Sequence, residues 1–332
     1  MANNAMNELP LAAASVEMAS GEILVSRFAA VAACVFMALG YVLILYFPSF
    51  VLRLPSPTSL ESFLIRRFTC ALVFSFISVL VSAALLGLER FGDLSSLLNV
   101  YGIRKDHTWQ AVVFPLFLTC LLYAGSFMSK SLLMLRELRD GESSCCGLGL
   151  KVCLHAVQRF LNHAFSCAHN VVAWRNYVVA PFTEELVFRG CMIPLLLCSG
   201  FQTYSIIFLS PISFSLAHVH HFMELYYQQG YSFLKAFSIV GLQLGYTMVF
   251  GWYASFLFLR TGQLVSAIVV HVLCNLMGLP VLFSSSFKGL PTFGFILGLV
   301  CFFFLLFPAS NPLLYNKGID SCCCGQGYCN WH

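Results

Sequence analysis

Residues 28–49 read FAAVAACVFMALGYVLILYFPS, 22 positions without one charged side chain. An α-helix needs about 20 apolar residues to cross the roughly 30 Å hydrocarbon core of a bilayer, so this run is long enough to span it. Residues 68–88, 110–128 and 291–308 repeat the pattern. Between 172 and 283 the apolar stretches near 176–198, 204–220, 236–259 and 264–283 are each broken by polar or ionisable residues. The reading is an all-α, polytopic membrane protein of about eight transmembrane helices enclosing an intramembrane catalytic cavity.

Composition agrees. Of 332 residues, 59% are hydrophobic and 10% charged, and the mean hydropathy is +0.83. A soluble domain carries about 25% charged residues, so this chain has too little polar material to cover a water-facing surface. The net charge of +4 is spread along loops. It gives no basic stripe for nucleic acid, which excludes that class of partner. The chain has 15 cysteines. Cys34, Cys70, Cys120, Cys274 and Cys301 lie in apolar stretches, where free cysteine packs as a small hydrophobe. No paired CxxC spacing suggests structural zinc.

The domain organisation follows: an N-terminal tail over 1–25, a single transmembrane domain over 26–310 with its motif core at 175–280, and a Cys-rich tail over 311–332. The first tail holds Glu8, Glu17 and Glu22 and no early basic region, unlike a secretory signal. Segment 137–170 mixes charge with apolar residues and reads as a loop followed by an interfacial amphipathic helix. Cys322, Cys323, Cys324 and Cys329 are candidates for S-palmitoylation, with a loose metal site including His332, or a plain disordered tail, as alternatives. Arg53, Arg66, Arg67, Lys130, Arg136, Arg139, Lys151 and Arg159 are taken to lie in the loops after the first and third spans. They outweigh Arg27, Arg90, Arg104, Lys105, Arg260 and Lys317, which predicts a cytosolic first set and both termini opposite.

An ionised group inside a bilayer costs several kcal/mol, about 2.5–3.5 on insertion scales, so such residues mark function. Three clusters stand out. In 181–190, PFTEELVFRG, Glu185 and Arg189 are i and i+4 and can pair. Glu184 points about 100° away and lacks that partner, as a desolvated general base would. In 214–218, FSLAH, Phe214 and His218 share a helical face, with His220 in reserve and His221 towards the loop bearing Glu224. In 271–275, HVLCN, His271 and Asn275 project together and can donate two hydrogen bonds to one oxyanion. Taken alone, the last cluster is better explained as an interhelical polar pair that serves packing.

Together these groups make a hydrolytic site. Glu184 and His218 would activate water, His271 and Asn275 would stabilise the transition state, and Glu185, Arg189 and Phe214 would support them. No GxSxG elbow is present. A zinc-dependent protease using Glu184, His218 and His271 as ligands is an alternative, although HExxH and HxxEH are absent. A proton-coupled transporter would use an intramembrane Glu/His relay but would show matched internal repeats, and none is visible. A non-enzymatic scaffold is the last alternative.

EELVFRG, FSLAH and HVLCN resemble, in order, the EExxxR, FxxxH and HxxxN motifs of the CaaX protease and bacteriocin-processing superfamily of intramembrane glutamate proteases. LRLPSPTSLESFLIRRF (52–68) and YGIRKDHTWQAVVFPL (101–116) extend the likeness to the eukaryotic type II CaaX prenyl endopeptidases, over about 28–310. The resemblance implies an eight-helix fold in the endoplasmic reticulum membrane. It implies removal of the C-terminal aaX tripeptide from farnesylated or geranylgeranylated CaaX proteins, in contact with membrane lipid. It also implies the same roles for Glu184, His218, His271 and Asn275. No cofactor is called for, and the sequence says nothing of oligomeric state.

Overall fold

The computed structural model describes residues 25–55, 57–87, 98–140, 165–280 and 289–315, with isolated positions between 154 and 162. The described residues are helical and contain no strand. The chain runs through α1 (Arg27–Phe50), α2 (Leu60–Leu85), α3 (Thr108–Leu122), α4 (Ala124–Asp140), α5 (171–198), α6 (Thr203–Gln228), α7 (Phe233–Thr261), α8 (Leu264–Met277) and α9 (Leu290–Ala309).

Five of these, α1, α2, α6, α7 and α9, are long and apolar enough to cross a membrane, and α3 with α4 makes a sixth bent by 73°. The expected eight spans therefore reduce to five or six by length and composition. The reasons are local. Helix α8 has 14 residues, about 21 Å of rise, and stops at Gly278, whose φ of +67° suits glycine. Helix α5 carries Arg175, Glu184, Glu185 and Arg189. The third span breaks at Tyr123, whose hydroxyl donates to the Gly278 carbonyl at 2.7 Å.

Helix α2 begins eight residues before the expected 68, because Ser59 caps it by accepting from the Ser62 amide at 3.1 Å. Arg66 and Arg67 are thus helical, not loop residues as the charge count assumed. The interfacial segment 137–170 lies largely outside the described residues, as do the N-terminal tail to residue 24 and the tail from 316. Before that tail, buried Tyr315 packs edge-on against Phe114 with ring centroids 6.4 Å apart, so packing against the bundle continues past residue 310.

Helix α5 is the centre of the bundle. Every residue from Leu186 to Ser199 is buried, and a helix apolar all round must be surrounded. Helices α1, α2, α6, α7 and α8 pack around it. The outer helices turn Phe28, Phe76, Phe293, Phe304 and other large apolar side chains outward, the surface a lipid solvent requires. Without a hydrophobic drive between helices in lipid, close backbone approach decides packing. At Gly298 of α9 an added Cβ would run into the Leu121 carbonyl of α3, and would come within 2.9 Å of Ala124 Cβ.

The helices meet end to end in a consistent way. Arg27 donates to the Gly200 carbonyl at 3.1 Å and the Leu264 amide to the Gly102 carbonyl at 2.8 Å, joining elements at one end of the bundle. Arg67 meets Glu224 at 2.7 Å at the other, where α1 ends and α2 begins.

Candidate active site

That second end holds a cavity of about 100 Å³ between α1, α2, α5 and α6. Tyr41, Leu45, Leu64, Arg67, Arg175, Thr183, Glu184, Phe214 and His218 are on its wall, with His220 and His221. Helix α5 delivers Glu184 and Thr183 from a six-residue α-helical stretch, Ala180–Glu185, between two π-helical ones, Arg175–Val179 and Leu186–Cys191. Single π turns inside α-helices are frequent at functional sites.

The two adjacent glutamates have different surroundings. Glu185 is fully buried. Its Oε1 accepts from Arg189 Nη1 at 3.1 Å, the i, i+4 pair that spacing predicts, and from His271 Nδ1 at 2.7 Å. Its Oε2 has no partner among the described residues. Glu184 keeps 18% of its side chain exposed, and its nearest cationic candidate is His271 Nε2 at 3.8 Å. The sequence reading made Glu184 the desolvated carboxylate; Glu185 is the one shut away from solvent, and Glu184 faces the cavity.

Arg189 is buried against aromatic faces, its Cζ 4.3 Å from the Phe214 ring centroid and 5.6 Å from that of Phe250. This is cation–π support in a dry environment. Phe214 also meets His218 with ring centroids 5.1 Å apart and His271 at 6.3 Å. One ring therefore braces the arginine and both histidines.

Hydrogen bonds set the tautomers. His218 Nδ1–H donates to the Phe214 carbonyl at 3.0 Å, which leaves the lone pair on Nε2. His271 Nδ1–H donates to Glu185, so its Nε2 is an acceptor in the neutral ring and a donor only in the imidazolium. Tyr41 of α1 donates to Thr183 Oγ1 at 2.8 Å, while Thr183 donates to the Val179 carbonyl at 2.7 Å.

Two expectations do not meet the geometry. His271 is buried whereas Asn275 is exposed, and the Asn275 amide donates to the Asn176 carbonyl at 2.8 Å instead of sharing one point with His271. Neither is on the cavity wall. Glu184, His218 and His271 do not bring three ligand atoms together. Among the described residues the group with ligand atoms within 4.8 Å of one another is His220, His221 and Glu224. There Glu224 is engaged by Arg67 at 2.7 Å and by His221 Nδ1 at 3.0 Å.

Sequence reasoning missed the Glu185–His271 bond, Tyr41, and the Arg67–Glu224 bridge. The first two join residues 86 and 142 positions apart, for which no local pattern exists. The third joins residues 157 positions apart and had no local signal either.

The comparisons with known proteins fall on this same region. Residues 168–277, which hold all three polar clusters, match the family described as Type II CAAX prenyl endopeptidase Rce1-like. A CAAX prenyl protease 2 of Arabidopsis thaliana is 49% identical over 93% of this chain and 98% of its own length. That of Homo sapiens is 35% identical over 86% of this chain and 82% of its own. A probable CAAX prenyl protease 2 of Schizosaccharomyces pombe is 40% identical over 37% of this chain and 46% of its own. No solved structure matches. Likeness at this level over nearly the whole length means that the chain, a multi-pass membrane peptidase, belongs to the type II CAAX prenyl endopeptidases.

Proposed function

We propose that the cavity hydrolyses the peptide bond after the prenylated cysteine of a CaaX protein, releasing the aaX tripeptide, with Glu184 as the base. The observation that carries this reading is the division between the two glutamates. Glu185 is consumed by Arg189 and His271, while Glu184 stands at the cavity wall with His218 and without a hydrogen-bond partner among the described residues.

Glu184 takes a proton from water, and the hydroxide attacks the scissile carbonyl. His218, its Nδ1–H held by the Phe214 carbonyl, accepts that proton from Glu184 at Nε2 and passes it to the leaving amine. Charge on the tetrahedral oxygen falls to His271 and Asn275. The Glu185 carboxylate accepts from Nδ1–H and holds the His271 ring, whose Nε2 donates when the ring carries both protons. Asn275 supplies its second N–H, or releases the Asn176 carbonyl as substrate enters. Arg189 and Phe214 hold Glu185 and the rings in place.

The apolar groove beside the cavity, about 690 Å³ and lined by Leu43, Ile44, Phe47, Phe50 and Phe74, shares Val42 and His220 with it. It suits a farnesyl or geranylgeranyl chain, which partitions readily into apolar surroundings. The cavity lies at the bundle end that carries Arg53 and Arg67. The positive-inside rule places that end in the cytosol, here across the endoplasmic reticulum membrane.

The test is purified protein and Glu184→Gln, each offered a prenylated CaaX peptide with and without chelator. Tripeptide release by the unmodified protein, unaffected by chelator and absent in the variant, is the expected result. Full activity in Glu184→Gln, or activity lost to chelator and restored by zinc, overturns the assignment.

A further inference from the structure

We infer that Arg175 binds the free C-terminal carboxylate of the substrate and so fixes cleavage three residues from the chain end. This rests on the hydrolytic reading of the Glu184 cavity. Two arginines line that cavity, Arg67 and Arg175. Arg67 is committed to Glu224 at 2.7 Å. Arg175 has no ion pair or hydrogen bond among the described residues, and it is the cation left to meet an anion entering the site.

Its placement is specific to the backbone. Arg175 precedes Glu184 by nine residues on α5. On an unbroken α-helix, nine steps of about 100° would set the two roughly 180° apart. The π-helical stretch Arg175–Val179 has more residues per turn and under-rotates this segment. Arg175 accordingly shares the cavity wall with Val179, Ala180, Thr183 and Glu184.

The spacing also fits. Nine residues rise about 13 Å at 1.5 Å each, and somewhat less through the π stretch. Three extended residues span about 10–11 Å, a length of the same order as that rise. A tripeptide whose first bond is presented to Glu184 therefore ends at the guanidinium, whose planar fork suits a carboxylate in bidentate contact. A longer chain would bring an amide there instead of a charge.

The experiment compares a prenylated CaaX peptide bearing a free C-terminal carboxylate with the same peptide as its C-terminal amide. Each is offered to the full chain in detergent and to Arg175→Gln and Arg175→Lys, with thermal midpoints as the folding control. The unmodified protein is expected to prefer the carboxylate about ten- to a hundred-fold in kcat/KM, mostly through KM, as a charge-assisted hydrogen bond allows. Arg175→Gln is expected to erase that preference, and Arg175→Lys to keep part of it. Equal cleavage of both peptides by the unmodified protein overturns the carboxylate role while leaving the peptidase reading intact. A preference that survives Arg175→Gln does the same. Cleavage of neither peptide by folded protein overturns the peptidase reading itself.

Discussion

Replacing each of the adjacent glutamates by glutamine separates the chemistry from the scaffold. Glu185→Gln removes a fully buried negative charge whose Oε1 serves both Arg189 and His271. The carboxamide keeps one acceptor but puts an NH2 where an oxygen now stands without a partner, or the reverse if it flips. Breaking a buried ion pair from one side costs about 3–5 kcal/mol, because the remaining charge is stranded. Glu184→Gln breaks no hydrogen bond among the described residues, since its ion-pair distance to His271 Nε2 is 3.8 Å, and it stays partly exposed. Its expected effect on stability is within about 0.5 kcal/mol. Both variants should lose activity, Glu184→Gln as lost proton abstraction and Glu185→Gln as a misplaced His271. Thermal or denaturant midpoints in detergent, measured beside tripeptide release, resolve the two. A drop for Glu185→Gln with none for Glu184→Gln is expected. Equal midpoints for the two variants would refute the division of labour between the glutamates.

Two further outcomes follow from particular contacts. Asn275→Ala should lower turnover by about 10²–10³, the loss typical of an oxyanion donor; an unchanged kcat would leave it only the bond to the Asn176 carbonyl. Gly298→Leu should abolish accumulation of folded protein, since its Cβ meets the Leu121 carbonyl, whereas Gly241→Ala, with nothing within 4 Å, should be tolerated or raise stability by about 0.5–1 kcal/mol. Comparable thermal midpoints for these two glycine variants would remove close backbone packing as the explanation of the α3–α9 contact.

Much of the protein was open to sequence reading because its governing rules are local. A run such as 28–49 has one solvent in which it can rest, and the scarcity of charge from end to end makes the same statement about the whole chain. The Glu185–Arg189 pair was legible for the same reason, as four residues fix both side chains on one face of a helix. Boundaries were less so. The cap at Ser59 lengthens α2, and the break at Tyr123 bends α3 away from α4, where hydropathy alone averages over both events.

Sequence alone determined the solvent, the helical class and the set of ionisable residues that a bilayer would not tolerate without purpose. Only the tertiary structure decided which of those residues face the cavity and which are shut in the dry interior. Spacing separates Glu184 from Glu185 only by the reach to Arg189; cavity wall against dry interior becomes visible when α8 brings His271 Nδ1 to Glu185. The π turns in α5 and the bond from Asn275 to the Asn176 carbonyl were likewise invisible beforehand. Their cause is long-range: the side-chain partners that settle a buried charge come from helices far apart in the chain, and no local periodicity encodes which of them will meet.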